Sequence, residues 1–507
     1  MRFAVHQTKL VPNKLLLSPV KTSPISSIEQ IPLQPLNLDF QYNQELQQQL
    51  SGRQLLLDDL HCPIADIQLH YENGYLIYRK GIAYKKNKPS CVRCGNKDKR
   101  YFAKFPCAKC GEEECLYCRK CIMMGRISSC SPLLSWTGPW PFLKESLSTK
   151  EKNCNSYLTW NGTLSKGQNI ASEQVVAAIN QNEEFLVWAV CGAGKTEVLF
   201  EGIDEALTSG KRVCIATPRT DVVLELTPRL QKVFPNIKVA SLYGGSEDRF
   251  LNTPLTISTT HQLLRFYQAF DTIIVDEVDA FPYSVDESLQ YAVQQARKSK
   301  SSIIYLTATP NPKWQAECRI GRRKFITIPA RFHRHPLPVP ELRWCGNWEK
   351  ALQKNQLPRN ILQWIKLRLA AKKQCLLFVP KIKKMEKMLP ILRKLHPNIE
   401  AVHAEDPNRK QKVLAMRNKE IRLLITTTIL ERGVTFPNLD VAVLGAEDRI
   451  FTESALVQIA GRVGRSAQAP GGDIVFFHYG KTEAMLSAKK QIIRMNIEAR
   501  KKGMIDN

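Results

Sequence analysis

The stretch from Phe185 to Glu197, Phe-Leu-Val-Trp-Ala-Val-Cys-Gly-Ala-Gly-Lys-Thr-Glu, constrains this chain most. The apolar run Phe185 to Val190 reads as a buried strand. Cys191 to Gly194 reads as a small turn, and Lys195 to about Leu207 as a helix. A strand that passes through small residues into Lys-Thr and a helix is built to hold phosphate. Backbone N–H groups of Gly192, Ala193 and Gly194 close around phosphate oxygens and Lys195 reaches the outer phosphates. The Thr196 hydroxyl ligates Mg2+, and the helix N-terminus adds a favourable dipole. The strict pattern opens on Gly, and Ala189 stands in that place. Since such a pattern also arises by chance, the residues downstream decide the reading.

Beyond the loop, apolar strands alternate with helical stretches. Strands read at Arg212–Ala216, Val239–Tyr243, Leu255–Ser258, Thr272–Val275 and Ser302–Leu306. That alternation predicts an α/β fold, a parallel sheet with helices on both faces, whose ligands sit at the carboxyl ends of strands. Asp276-Glu277-Val-Asp279 closes one such strand. Asp276 is placed to hold the Mg2+ of ATP through water, and Glu277 to orient and deprotonate an attacking water. Thr307-Ala-Thr309-Pro closes another with two hydroxyls that can sense the γ-phosphate. Thr217-Pro-Arg219 and Thr259-Thr-His261 follow strands too and suit sugar-phosphate contacts, although each taken singly reads as a helix cap. Ahead of the loop, Ser172 reads as the N-cap of a helix to Asn180. Gln168 is placed to hold an adenine edge, or is a surface glutamine.

Pro336-Leu-Pro-Val-Pro340 breaks the chain, and a second α/β unit follows. Its strands read at Gln374–Val379, Ile399–Val402, Ile421–Thr426, Val441–Leu444 and Asp473–Phe477, with Asp406 and Pro407 opening a helix. It has no second phosphate loop. Instead Thr426-Thr-Thr-Ile-Leu-Glu431-Arg-Gly-Val-Thr435 and Gln458-Ile-Ala-Gly461-Arg462-Val-Gly464-Arg465 appear. Two arginines three apart on a helix share a face and can reach an ATP lodged on the first unit, as arginine fingers; a basic surface helix is the plainer alternative.

Lys plus Arg number 73 against 47 Asp plus Glu, a net charge of +26 that points to a polyanionic partner, nucleic acid before an anionic membrane. A basic proteome would give the same total. No apolar run approaches the ~20 residues that span a bilayer, and the N-terminus lacks the apolar core of a secretion signal. An intracellular protein is expected. Of 15 cysteines, eight lie between Cys91 and Cys130 as Cys91-x-x-Cys94, Cys107-x-x-Cys110, Cys115-x-x-Cys118-x-x-Cys121 and Cys130. In a reducing compartment such spacing favours a metal. Cys91, Cys94, Cys118 and Cys121 make one four-thiolate zinc site. Cys107, Cys110, Cys115 and Cys130 make a tentative second; one zinc with spare thiols, or an iron–sulfur cluster, is the alternative. From Tyr78 to Lys104 ten cations are opposed only by Asp98 and interleaved with Tyr75, Tyr78, Tyr84, Tyr101, Phe102 and Phe105, a surface fit for single-stranded nucleic acid or a solvated face over a small core. Residues before Tyr75, with recurrent proline, read as extended or loose, apart from a short polar helix at Gln44–Leu50.

These motifs resemble superfamily 2 helicase motifs I, II, III, V and VI, in the family's order, over residues 189–465. Asp-Glu-Val-Asp departs from the Asp-Glu-Ala-Asp of the main RNA helicases. With the Cys-rich module and its Tyr-Cys-Arg-Lys-Cys-Ile-Met-Met-Gly-Arg, the chain is similar to the ComFA family of late competence proteins over residues 75–507. The resemblance implies two tandem RecA-like parallel-sheet domains preceded by a zinc-binding module. The expected organisation is a 1–75 extension, a 76–135 zinc module, a 136–157 linker, and motor domains at 158–334 and 341–507. It further implies an ATP- and Mg2+-dependent single-stranded-DNA translocase, cytoplasmic and peripheral at the inner face of the membrane. Its partners would be a ComFC-type protein and the DNA-uptake channel. The alternatives are a zinc-bearing helicase of replication restart, an RNA helicase, and a non-catalytic DNA-binding adaptor.

Overall fold

A computed structural model describes residues 1–141, 156–431 and 436–506. Most of the expected linker, and Arg432 to Thr435 of the Thr426–Thr435 motif, lie outside them. The strands form a seven-stranded sheet in the order Val239–Leu242, Leu255–Thr259, Val213–Thr217, Phe270–Val275, Arg297–Thr307, Glu184–Ala189, Phe325–Ile328. A six-stranded sheet has the order Glu341–Trp344, Ile474–His478, Leu439–Leu444, Gln374–Phe378, Leu423–Thr426, Ile399–Val402. Strands within each pair in parallel, Val213–Thr217 with both Leu255–Thr259 and Thr272–Val275, and Gln374–Phe378 with both Leu423–Thr426 and Leu439–Val443. Their buried runs of Val, Ile and Leu are those of strands covered on both faces. These are two RecA-like parallel-sheet domains, as expected. The chain clusters into two compact units, one of Met1–Asn161, Val175–Phe185 and Phe200–Tyr305, the other of Gly162–Gln174, Leu186–Leu199 and Leu306–Asn507.

In the first unit, the region before Tyr75 is packed rather than loose. A hairpin pairs Phe3–His6 with Lys9–Pro12. The helix Gln44–Leu50 forms where its sequence predicts it, capped by Asn43, whose side chain accepts from the N–H of Glu45 and Leu46. Pro132–Trp136 lies between Leu55–Leu56 and Leu76–Lys80 in a three-stranded antiparallel sheet. Phe3, Leu46, Leu50, Ile67, Tyr71, Leu134 and Trp136 share one core with Tyr75 and Tyr78, so those two tyrosines are core residues. Tyr84 and Tyr101 remain exposed.

In the second unit, two local readings change. The helix expected at Asp406-Pro407 begins at Arg409. The Asp406 carboxylate accepts from the N–H of Asn408 and from Lys412 Nζ at 2.7 Å, holding a turn in place of the first helical residues. A C-terminal helix Glu483–Lys501 buries Met485, Ala488, Ile492, Met495 and Ala499, and Asn496 on it exchanges hydrogen bonds with the N–H and carbonyl of Leu337. The Pro336–Pro340 segment is thereby pinned. No helix among the described residues is long and apolar enough to cross a membrane.

Candidate nucleotide site and metal centres

The phosphate-loop candidate follows the buried strand Glu184–Ala189, which is anchored by Trp188 donating to the carbonyl of Ala308 at 3.0 Å. The loop is held from below by Gln168. Its Nε2 donates to the carbonyls of Ala193 (2.9 Å) and Gly194 (3.3 Å), its Oε1 accepts from the Ser165 N–H, and it is 2% exposed. Both ends of the amide that was expected at an adenine edge are thus engaged by the chain itself. Ser165-x-x-Gln168 is half of a capping box, and it starts the helix at Lys166, six residues before the expected Ser172. The helix after the loop starts late instead. Glu197–Leu199 forms a 3₁₀ turn and the α-helix begins at Phe200, because Gly194 sits in the left-handed region with its carbonyl held by Gln168.

Asp276 and Glu277 cap the strand Phe270–Val275 in the first unit. The Asp276 N–H donates to Ala216 O at 2.8 Å, and the Glu277 N–H to Asp276 Oδ1 at 2.8 Å. Glu277 has φ +54, a conformation costing about 1 kcal/mol or more, of the kind that clusters at functional sites. Arg219 is held by Asp221 at 2.7 Å. Thr307 Oγ1 accepts from the Thr309 N–H, and Thr309 Oγ1 donates to Ser454 Oγ at 2.8 Å, so the hydroxyl pair touches the start of the helix Glu453–Ala460.

The two arginines are not on that helix. It ends at Ala460, and Gly461 to Gly464 form a turn, with Gly464 at φ +67. Arg462 is 2% exposed and its Nε donates to Glu431 O at 3.0 Å; Arg465 Nε donates to Gly461 O at 3.1 Å. This turn meets the phosphate-loop candidate directly. Cys191 Sγ donates to Gln458 Oε1 at 3.0 Å, across 267 positions of sequence, and a Cβ placed on Gly461 would lie 2.4 Å from Cys191 Cβ.

Two residues that the sequence did not single out lie here. Arg331 is 1% exposed and donates to the carbonyls of Gly464 and, at 3.5 Å, Gly461; burial pulls its pKa down to about 10. His333 Nε2 is 3.0 Å from Gly464 O. No local pattern marks them, since their partners are over 130 residues away.

The eight module cysteines fall into two buried groups, Cys91, Cys94, Cys118, Cys121 and Cys107, Cys110, Cys115, Cys130, each with its four sulfurs within 4.8 Å of one another. Cys91–Cys121, Cys94–Cys118 and Cys107–Cys130 sulfurs are 3.7 Å apart, and Cys115–Cys130 are 3.9 Å apart. Four thiolates around one tetrahedral zinc, with Zn–S bonds of about 2.3 Å, must stand about 3.8 Å from each other. A disulfide would bring two of them to about 2.05 Å. A several-iron cluster would spread them further. Both groups therefore fit a single zinc ion. Arg93 Nη2 donates to Cys121 Sγ (3.2 Å) and Ser128 Oγ lies 3.4 Å from Cys130 Sγ, contacts that stabilise thiolate charge.

Residues 37–135 match the family described as the competence protein ComFA N-terminal domain. Residues 161–312 match the res subunit of type III restriction enzymes, and 354–467 the helicase conserved C-terminal domain. The chain is 48% identical over 462 residues to the competence protein ComFA of Bacillus subtilis (strain 168), covering 91% of this chain and 97% of that one. To its counterpart in Streptococcus pneumoniae (strain ATCC BAA-255 / R6) it is 42% identical over 385 residues, 76% and 86% of the two chains. Among solved structures, S. cerevisiae Dbp5 bound to RNA and ADP BeF3 is similar over 66% of this chain and 88% of that one, at 17% identity and a TM-score of 0.47.

Proposed function

The chain belongs to the ComFA family of competence proteins, and from that premise we propose that it is an ATP-driven motor that moves along single-stranded DNA and draws transforming DNA inward. Its two helicase domains make it a helicase-like ATPase. In the proposed cycle, Gly192, Ala193, Gly194 and Lys195 hold the ATP phosphates, and Gln168 sets the posture of that loop. Thr196 and Asp276 hold the nucleotide's Mg2+, which when bound neutralises charge on the phosphoryl oxygens. Glu277 orients the attacking water and takes its proton. Arg462 and Arg465 stabilise the charge that develops as the bond breaks.

The observation that carries this reading is the meeting of the phosphate-loop candidate with the arginine-bearing turn, Cys191 against Gln458 and Gly461. A loop for the ground state and arginines for the transition state, drawn from separate domains, make turnover depend on domain closure. That is what a motor requires. Zinc in both Cys groups holds the basic module together, and the module grips the strand. The proposal includes a ComFC-type partner and a place at the inner face of the membrane beside the uptake channel; the family resemblance is what supports them.

The test is ATP turnover with and without single-stranded DNA or RNA. Stimulation by DNA supports the reading; stimulation by RNA alone overturns it. Lys195→Ala should abolish turnover and keep DNA binding, and retained turnover would sink the site assignment. Movement along a strand without displacing an annealed one distinguishes uptake from unwinding.

A further inference from the structure

The segment Arg331-Phe-His333 touches both halves of the proposed ATP site. Its backbone is bound to the loop, because the Phe332 N–H donates to Gly192 O at 3.3 Å. The Arg331 side-chain stem runs beneath the same glycine, with Cγ at 3.6 Å from where a Gly192 Cβ would stand. Its two side chains are bound to the arginine-bearing turn. Arg331 Nη1 and His333 Nε2 both reach the carbonyl of Gly464, one of the two residues between Arg462 and Arg465. The histidine is the neutral Nε2–H form there. Its Nδ1 accepts from the His335 N–H at 3.3 Å, so the ring hydrogen sits on Nε2 and is donated to Gly464. Gly464 itself admits no side chain: a Cβ would lie 2.0 Å from Pro470 O and 2.9 Å from Arg331 Nη1.

We infer that Arg331 and His333 are positioning residues for ATP turnover, a strap that sets the distance of the Arg462–Arg465 turn from the phosphate loop when the two are closed on each other. A carbonyl that accepts from two side chains anchored to the loop cannot rotate or withdraw without breaking both bonds. Arg462 and Arg465 flank that carbonyl by one or two residues, so their backbone placement is set by it. The inference rests on the reading of Lys195, Arg462 and Arg465 as parts of one ATP site.

The experiment measures kcat, KM and affinity for a fluorescent mant-ATP analogue in the full chain, for Arg331→Ala, His333→Ala and His333→Gln, with Lys195→Ala as the control for the site itself. Removing Arg331 deletes charge-assisted bonds, and kcat should fall roughly 10- to 100-fold. Removing the single neutral bond of His333 should lower kcat about fivefold. Affinity and KM should stay within about threefold of wild type in both. His333→Gln presents an amide N–H near the place of Nε2–H and should restore kcat to within about twofold. A residue that only supports folding would lower soluble yield and zinc content and leave kcat per mant-ATP-binding site unchanged. If Arg331→Ala does not fold, the two His333 variants carry the test alone. Wild-type kcat in His333→Ala, or failure of His333→Gln to recover, overturns the strap while Lys195→Ala remains dead. Turnover in Lys195→Ala overturns the site reading instead.

Discussion

Gly461→Ala is the sharpest perturbation of the proposed site, because the added atom has nowhere to go. Its Cβ would stand 2.4 Å from Cys191 Cβ and 2.7 Å from Cys191 Sγ. Carbon atoms in ordinary contact need about 3.5 Å, so loop and turn must separate by about 1.1 Å (3.5 − 2.4). Neither side yields easily. Gly461 is followed by the turn tied to Arg331 and His333, and Cys191 by the loop tied to Gln168. A misplacement of about 1 Å between catalytic groups and substrate costs on the order of 100-fold in rate, about 2.7 kcal/mol of barrier. ATP turnover of Gly461→Ala should therefore fall about 100-fold, with mant-ATP affinity within about threefold because the proposed ground-state contacts of Lys195 and Thr196 are untouched. Cys191→Gly removes both atoms that the new methyl would strike. Combined with Gly461→Ala it should recover at least about tenfold of the loss, giving a coupling energy above about 1.4 kcal/mol in a double-mutant cycle. Turnover of Gly461→Ala within threefold of wild type would refute the reasoning, and so would a loss that Cys191→Gly does not relieve. Either result would mean that loop and turn do not approach this closely during catalysis.

Other consequences follow from single sites. Metal analysis of the purified chain should give two zinc ions per molecule, and changing Cys107 and Cys110 to Ser should leave one; a wild-type count of one removes the second site. Arg53 is buried, with its pKa pulled down to about 9 by burial and by Arg212, Arg249 and Arg265, and it donates to Gln48 O, Leu251 O and Asn252 Oδ1. Arg53→Met should cost about 3 kcal/mol by leaving buried carbonyls without donors, read as a lower first thermal transition, and an unchanged melt would contradict it. His333 titrates below its usual 6.5, because burial, and then Arg331 and His335 beside it, oppose the charged ring. A depressed folded pKa leaves Nδ1 unprotonated above pH 6.5 and able to accept from the His335 N–H; as pH falls through the folded value Nδ1 takes up a proton and that bond, which orients the ring, is lost, while Nε2–H still donates to Gly464. The ATPase of wild type should carry an acid limb below 6.5 that His333→Gln lacks; the same limb in both would assign it elsewhere.

The parts of the fold that could be read in the sequence are those where a local pattern and a buried environment agree. Ile399–Val402 and Gln44–Leu50 fall where their patterns put them, and the strands around Val213, Leu255 and Val441 differ by one or two residues at their ends. Phe325–Ile328 and Glu341–Trp344 were not legible, because the first lies directly behind the charged run Arg322-Arg-Lys324 and the second is charged in alternate places, so neither shows an unbroken apolar run. Glu483–Lys501 was legible in principle, since Met485, Ala488, Ile492, Met495 and Ala499 keep helical spacing. The arginine turn misleads for a physical reason. Gln458 to Arg465 has the spacing of a helix, but Gly464 adopts positive φ and its carbonyl is taken by Arg331 and His333, so the helix stops at Ala460. The strap could not be found from spacing at all, because its chemistry is a contact between residues far apart in the chain.

The way the Cys-rich module is attached bears on how a motor of this kind could hold a strand. In the first unit the module, and the extension that precedes it, are fastened to motor-domain elements at several points. Arg53 joins the first helix to Leu251 and Asn252. Gln54 Nε2 donates to Leu264 O, its N–H donates to Arg265 O, and the Tyr267 N–H donates to Gly52 O. At the metal end, Tyr291 OH donates to Val92 O, and its ring packs so tightly on Gly95 that a Cβ there would come within 2.6 Å of it. Lys120 pairs with Asp286 at 3.3 Å, the residue that caps Glu287–Ala296. That helix lies in sequence between Asp276–Glu277 and the strand ending at Thr307, so the loop of the first Cys group and the segment joining these two strand-end motifs share a contact. Fastenings on this many elements leave little freedom between them, since each would have to break for the module to swing. On the proposed function, a strand held by the module is also held by the domain that carries Asp276 and Glu277, and its displacement in a cycle is set by how far that domain moves. Removing metal from Cys91, Cys94, Cys118 and Cys121 should then loosen the helix after Asp286 as well as the proposed grip.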